Sequence, residues 1–399
     1  MLFLFLPILI ITGPFLPDLI TVILSFITIY FFFSKKINLI YEIKKNFFLF
    51  FFLIICAAST IYNYGFDIIS FKSVGFIRFF FLIIIINYII KSNNKIINLN
   101  FIILCMTLFF VCFDSYIQFF FGTDIFGYKI QDPKRLSGLF GNEYILGSFL
   151  INFAPLIFYF AAKYSKCKNY LLFFFFIIIE PLIFIAGQRA PFFMSIILIF
   201  CCFIYFYKDK VFYINFFSSL LIILLILVFN KNYSERYFFD VKANLNYKNE
   251  ILVKNNKLNL NFSILTPSHT SLYANALNMF LDKPITGHGI KSFRKICQNY
   301  NINGCSTHPH NYYLEILVEA GIFAFLILTL FYIKLLKKFA QHIKDIILIK
   351  KFNKNFFILL TLLIFFFPLK SSGSIFNNYI MIQGSYLLAL YFYVKKNSI

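Results

Sequence analysis

The chain contains no tryptophan, and only 13% of its 399 residues are charged. Hydrophobic residues make up 60% of it, with a mean hydropathy of +0.80. No soluble fold needs so large an apolar fraction, so the shortage of charge excludes a water-soluble globule and indicates a polytopic membrane protein. Acidic residues are the scarcest charged class, 16 against 37 Lys and Arg, which leaves a formal net charge of +21. Part of that excess accompanies a general enrichment in Phe, Ile, Lys and Asn. The rest is informative through its position, because basic residues set orientation in a bilayer. A nucleic-acid partner is not expected, since most lysines fall in short loops between apolar runs rather than on one basic face.

Other features are missing too. Met1 to Ile11 lacks a basic n-region and a small-residue cleavage site, so it does not read as a signal peptide. No internal repeat is visible, which weighs against transporters built from repeated halves. Six of the eight cysteines (Cys56, Cys105, Cys112, Cys167, Cys201, Cys202) lie in or beside apolar runs and read as small core residues.

What is there is mostly apolar runs long enough to cross a bilayer at about 1.5 Å per residue, roughly 17–25 residues each. Met1 to Phe33 is too long for one crossing, and Gly13-Pro14 and Pro17-Asp18 break it into a hairpin with a short first arm. Further spans are expected near 46–62, 73–90, 99–121, 143–162, 169–186, 191–207, 211–229, 312–333, 355–369 and 374–394. The expected fold is an all-α polytopic membrane protein with about twelve transmembrane helices and one large periplasmic loop before the last three. Residues 1–229 would hold nine spans, 230–311 the loop and 312–399 the remaining three. Lysines recur at every second loop, at Lys35, Lys36, Lys44 and Lys45, at Lys91 and Lys95, at Lys163 to Lys168, at Lys208 and Lys210, and from Lys334 to Lys354. The positive-inside rule then makes both termini cytoplasmic and the long polar segment extracytoplasmic.

Within that segment, Lys231 to Asn261 shows little period and is expected to be mobile or packed on the membrane surface. Ser268 to Phe280 reads as a helix, with Leu272, Ala276, Leu277 and Phe280 on one stripe. Gly287-His288-Gly289 reads as a tight turn. Three of five histidines (His288, His308, His310) fall between Gly287 and Gly321, and His269 lies just upstream. So do Cys297 and Cys305, the two cysteines in a polar loop. A disulfide between them would restrain the run that follows, with free or metal-bound thiols as the alternative.

That run is His308-Pro309-His310-Asn311. Pro309 restricts His308 to an extended backbone. Asn311 can cap a helix that continues as YYLEILVEAGIFAFLIL, which fixes His310 beside a helix N-terminus at the membrane boundary. A neutral imidazole there can take a proton from a hydroxyl, and the positive helix end attracts phosphate. A structural histidine is the alternative. So is zinc held by His308, His310, His288 and Cys305, although no spaced second pair accompanies the His-x-His. Glu315 is read as a solvated interfacial carboxylate, and Glu319 as deeper and harder to explain as decoration. Arg189, in the short turn AGQRAPF, should meet an anion through its planar fork, with snorkelling to headgroups as the alternative. DPKRLSGLFGNE offers tight backbone and Arg135 as a second anion contact. Lys72 and Arg78 read as orientation anchors.

Four pieces in this order, RLSGLFGN, AGQRAPF, LYANALNMFLDKPITGHGIKSF and HPHNYYLEILVEAGIFAF, are similar to the O-antigen ligase and O-antigen polymerase superfamily of bacterial inner membranes. The resemblance covers about residues 120 to 335. It implies an α-helical glycosyltransferase with no metal or other cofactor. Such an enzyme moves a glycan, with inversion, from an undecaprenyl-pyrophosphate carrier to a sugar hydroxyl. The acceptor is lipid A–core for a ligase, the favoured reading, or another lipid-linked unit for a polymerase. The partners are these two substrates and the lipid bilayer, with no nucleic acid. The resemblance makes His310 the base and Arg189 a pyrophosphate contact. It puts His269, ahead of Leu272-Tyr273, where the family has a second arginine before Leu-Trp. Arg294, Lys291 or Arg135 are substitutes for that charge, and Asn311, His288 and Glu319 are further candidate substrate contacts. A flippase or exporter is the rival class. It predicts charges inside the spans, where Glu180 and Asp114 are the clearest of few.

Overall fold

The computed structural model of the chain describes residues 2–93, 95–240, 251–253, 256–258, 267–300 and 305–396. Much of the weakly patterned stretch Lys231 to Asn261 lies outside the described residues. Helices dominate because a chain in lipid has no water to satisfy its N–H and C=O groups, so each apolar run closes its own hydrogen bonds. In chain order, after a short N-terminal arm that includes Leu6–Ile10, they are α1 (Phe15–Phe33), α2 (Phe47–Tyr64), α3 (Ile68–Val74), α4 (Ile77–Ser92) and α5 (Lys95–Phe121). Then come α6 (Leu146–Lys163), α7 (Ser165–Ile185, containing a π-helical turn over Phe174–Ile179), α8 (Arg189–Tyr205) and α9 (Lys210–Phe229). The polar segment supplies α10 (Pro267–Asp282) and a two-stranded antiparallel hairpin, Ile251–Val253 against Asn256–Leu258. The chain ends with α11 (Tyr312–Ile349), α12 (Asn355–Phe365) and α13 (Asn378–Lys396).

Each expected span falls on one of these helices. Among the described residues eight helices are long and apolar enough to cross a membrane, and α8 and α12 are shorter apolar helices. By length and composition, then, eight of the twelve expected crossings are accounted for. The outer faces agree with a lipid surrounding. On α9 Phe217, Leu221, Val228 and Phe229 are exposed, a surface no water-soluble protein would keep.

The bundle is organised around α6, buried over almost its whole length and packed against α7, α8 and α12. Helix α4 lies between α1 and α13. Contact there uses small hydroxyl side chains, as expected where lipid tails remove the hydrophobic drive between helices. Ser25 and Thr28 on α1 each bond back one turn to Thr21 O and Leu24 O, and also approach Arg78 O and Phe81 O of α4 at 3.1 and 3.2 Å.

One local break positions everything that follows. Gly321 has φ 79°, ψ −177°, a non-helical residue inside α11. The carbonyls of Val318 and Glu319, released from the helix, accept the amides of His288 (2.9 Å) and Gly289 (2.8 Å), while Ile322 N donates to Pro284 O (2.9 Å). The segment 284–289 is thereby stitched to the helix at the break. A side chain at 321 would put its Cβ 2.1 Å from Ile285 O, so glycine is obligatory.

Candidate functional site

The start of α11 is built as the sequence suggests. Asn311 caps it, its Oδ1 accepting the amides of Tyr313 (3.0 Å) and Leu314 (3.1 Å). Its Nδ2 donates to Pro368 O at 2.6 Å. Both ends of the Asn311 amide are therefore occupied in holding backbone. His310, immediately before it, sits at φ 56°, a left-handed conformation that a residue with a Cβ adopts at a cost.

His308, His310 and His269 converge, although His269 comes from α10. Ring centroids lie 4.2 Å apart for His308–His310 and 5.6 Å for His269–His310. The loop between α12 and α13 supports all three: Ser372 N donates to His310 O (3.0 Å), Ser371 Oγ lies 3.3 Å from His269 Nε2, and His308 Nε2 faces Ser372 O at 3.3 Å. A nitrogen facing a carbonyl must carry its proton, so His308 Nδ1 accepts from Thr307 Oγ1, 2.9 Å away. Burial pushes all three imidazoles below the ordinary histidine value. For His308, with His310 adding to the effect, the value falls to about 4. His310 is lowered against the opposing pull of Ser372, and His269 is lowered further by His310 and Arg135. At neutral pH the cluster is uncharged, which leaves a lone pair available to take a proton.

Beside it stands a basic group. Gly187 has φ 66°, and a Cβ there would meet Lys134 O at 2.1 Å, so the loop carrying Arg135 presses on the turn that carries Arg189. Arg189 Nη2 donates to Arg236 O (3.2 Å) and Arg236 Nε donates to Gly187 O (3.0 Å). Arg135 lies over the Tyr144 ring at 5.0 Å. Asp240 is 3.4 Å from Lys134, 3.7 Å from Arg236 and 3.8 Å from Arg189, while Glu235 pairs with Lys134 at 3.2 Å. Three cations thus share two carboxylates, with Arg135 alongside and Asp132 the carboxylate acting on it. Among the described residues the Nε atoms of Arg135 and Arg189 are buried with no hydrogen-bond partner. Burial and the neighbouring Arg236 both act against the charge on Arg135. The surplus is positive and suits an anion with several oxygens.

Three expected substrate contacts are turned inward. Besides Asn311, His288 is buried and faces Met279 O at 2.8 Å, and Glu319, fully buried, accepts Lys291 N (2.6 Å) and Phe293 N (3.0 Å). Glu315 is not solvated: it is 1% exposed, accepts Ile375 N at 2.8 Å and bonds Ser374 Oγ. The sulfurs of Cys297 and Cys305 lie at disulfide distance, 2.08 Å. With Cys305 so engaged and His288 turned to Met279, the donor set weighed for zinc does not assemble. Arg78 pairs with Asp18 at 3.0 Å. Within the spans, Glu180 accepts from Ser195 Oγ (2.9 Å) and Asp114 from Ile125 N (3.0 Å), so both carboxylates have structural duties.

Sequence reasoning missed Arg236 and the loop Lys370 to Ser374. Arg236 lies in a stretch without a period, and its one signal was a cation beside Glu235 and Asp240. The loop's signal was a lysine among small residues between two apolar runs. Lys370 is buried, with its Nζ donating to Asn152 Oδ1 at 2.7 Å, and burial pushes its ammonium down to about 7.

Neither the curated proteins nor the solved structures contain a match to this chain. Residues 171–329 match the family model described as O-antigen ligase. That stretch takes in Arg189, Arg236, His269, Arg294, His308 and His310, and leaves out Arg135 and the loop after α12. The imidazole cluster, Arg189 and Arg236 all fall on the matched stretch, so residues 171–329 carry an O-antigen ligase domain, and the match supports the O-antigen ligase superfamily.

Proposed function

We propose that this protein transfers a glycan from an undecaprenyl-pyrophosphate carrier to a sugar hydroxyl of lipid A–core. In this reading His310 removes the hydroxyl proton as the oxygen attacks the anomeric carbon. The bond from that carbon to the pyrophosphate breaks, its electron pair leaving with the lipid pyrophosphate, and the configuration inverts. Arg189, Arg135 and Arg236 bind the pyrophosphate and neutralise the charge that accumulates on it. His269, held neutral, supplies no fixed charge, and Arg236 takes the part that the family resemblance gives a second arginine. The observation that carries the reading is the uncharged histidine cluster next to a surplus of arginine. A proton acceptor and a pyrophosphate clamp are what this reaction requires, since pyrophosphate is already a good leaving group.

The same reading has twelve crossings, with α8, α12, α13 and the N-terminal arm joining the eight longer helices. Both termini are cytoplasmic, residues 230–311 form the periplasmic loop, and the protein resides in the inner membrane. A polymerase joining lipid-linked repeat units is the second reading, supported by the family match, which does not separate the two acceptors. A lipopolysaccharide gel from a deletion strain discriminates. Loss of every polymer band on the core, with lipid-linked polymer accumulating, supports the ligase. A single repeat unit left on the core supports the polymerase, and an unchanged ladder removes both.

A further inference from the structure

A second group of cations gathers around the Gly287–Gly289 turn, near enough to the imidazoles for Arg294 to act on His308. Lys291, Arg294 and Lys295 follow the Gly287–Gly289 turn, and Lys72 sits at the end of α3. Among the described residues none of the four has a carboxylate within ion-pair distance, whereas neighbouring Arg78 is paired with Asp18 at 3.0 Å. Glu319 is close but does not neutralise them through a salt bridge, because its two oxygens accept the amides of Lys291 and Phe293. Aromatic faces take part of the group: Lys291 lies 5.9 Å from the Phe76 centroid and Lys295 5.9 Å from that of Tyr64. Lys291 also holds a left-handed backbone, φ 61°, although it is not glycine, and strain of this kind persists where function requires it.

Arg135 acts on His269, Arg294 acts on His308, and His310 lies between those rings. Lys291 is depressed by burial and then by Arg294, Glu319 opposes this, and Arg78 and Lys72 add to the depression, so Lys291 lies within reach of three other cations. In the proposed orientation the cluster is extracytoplasmic, the side where lysine and arginine are depleted. Positive charge there that forms no salt bridge among the described residues needs a reason other than topology. Phe66 and Phe71, 84% and 68% exposed beside Lys72, are suited to the headgroup level, which favours a ligand that is itself membrane-anchored.

We propose that Lys72, Lys291, Arg294 and Lys295 form a second anion site that receives the phosphate groups of a phosphorylated glycolipid acceptor, opposite the arginines that hold the donor. This rests on the transferase reading above and assigns its two substrates to opposite sides of His310.

The test uses the full chain in detergent, with a polyprenyl-pyrophosphate-linked glycan as donor and bisphosphorylated lipid A–core as acceptor. The double variant Lys291→Gln/Arg294→Gln should raise the acceptor KM about tenfold, the size of one lost charge-assisted hydrogen bond, with the donor KM and kcat unchanged. Removing the acceptor phosphates should raise the wild-type KM at least to the variant's level and affect the variant, which keeps Lys72 and Lys295, less than wild type. A raised donor KM, or an equal response of both proteins to dephosphorylation, overturns the assignment. A titration of lipid A–core micelles without donor separates this idea from the transferase reading. Phosphate-dependent binding lost in the variant supports the site even if no transfer is detected, and equal binding by both proteins overturns it. Equally tight, variant-sensitive binding to phosphatidylglycerol nanodiscs would assign the patch to bulk lipid and also overturn it.

Discussion

Ser372 N donates to the carbonyl of His310 at 3.0 Å, so the loop after α12 holds the proposed base by its own backbone. The same loop is gripped by Glu315 at Ser374 and Ile375 and by Asn152 at Lys370. Ser372→Pro removes the donor N–H and should lower glycan transfer at least tenfold at unchanged membrane insertion. Ser372→Ala keeps the N–H and should retain most activity. Equal activity in both variants would show that this bond is dispensable.

The pH profile should identify the base. Burial lowers His310, so its neutral form persists below the ordinary histidine value of 6.5. The kcat/KM profile should therefore be flat at neutral pH and fall on acidification, with an apparent midpoint below 6.5. His310→Ala should lose about a hundredfold or more of the transfer rate, the usual scale of general-base catalysis. An acid limb that persists in the variant's residual rate, with the wild-type midpoint, would remove the assignment.

Gly321→Ala should disrupt the break in α11. The new Cβ would lie 2.1 Å from Ile285 O at φ 79°, which is strained twice over. We expect a destabilisation of about 2 kcal/mol or more, visible as a lower midpoint in circular-dichroism melts. The release of segment 284–289 should make the trypsin site at Lys291, just beyond it, more sensitive.

Lys370→Met tests a buried cation. The native ammonium is pushed down to about 7 from 10.5, so between those values the unfolded chain binds more protons than the folded one, and stability rises with pH. Below about pH 7 the penalty is complete. The variant should melt at an equal or higher temperature than wild type at pH 6, and the difference should shrink toward pH 10. A variant uniformly less stable at both pH values would mean that the hydrogen bond to Asn152 outweighs the charge.

Arg236→Gln should raise the donor KM about tenfold, because it removes a guanidinium that lies against Arg189 and bonds Gly187 O. Arg236→Lys should recover part of the loss, since charge returns without the fork. Unchanged donor kinetics in both would confine Arg236 to a structural role.

What could be read from the sequence depended on the range of the interaction. Helix positions follow from local apolar length, so α2 and α4 to α9 fall near their expected bounds, the short α3 is unexpected, and Asn311 announces its own cap. The partners of polar groups do not. Glu315 reads as an interfacial carboxylate until α12 and α13 bring Ser374 and Ile375 against it, 59 and 60 residues away. His288 and Glu319 read as ligand contacts because they are polar among apolar neighbours. The structure uses that polarity to hold backbone, His288 facing Met279 O and Glu319 accepting the amides of Lys291 and Phe293. Arg236 carries no pattern, since its place beside Arg189 exists only after the Gly187 turn has formed.

The paired arginines have one more consequence. Arg189 and Arg236 are each fastened to backbone of the other's segment, and Arg135 is packed alongside, so like charges are held together before any substrate arrives. Like charges held so close repel, and a pyrophosphate bound there, as proposed, would relieve that repulsion. The resting protein should therefore be the fragile form during purification. Inorganic pyrophosphate in the buffer should act as a preservative, and high salt, by screening the same repulsion, as a weaker one.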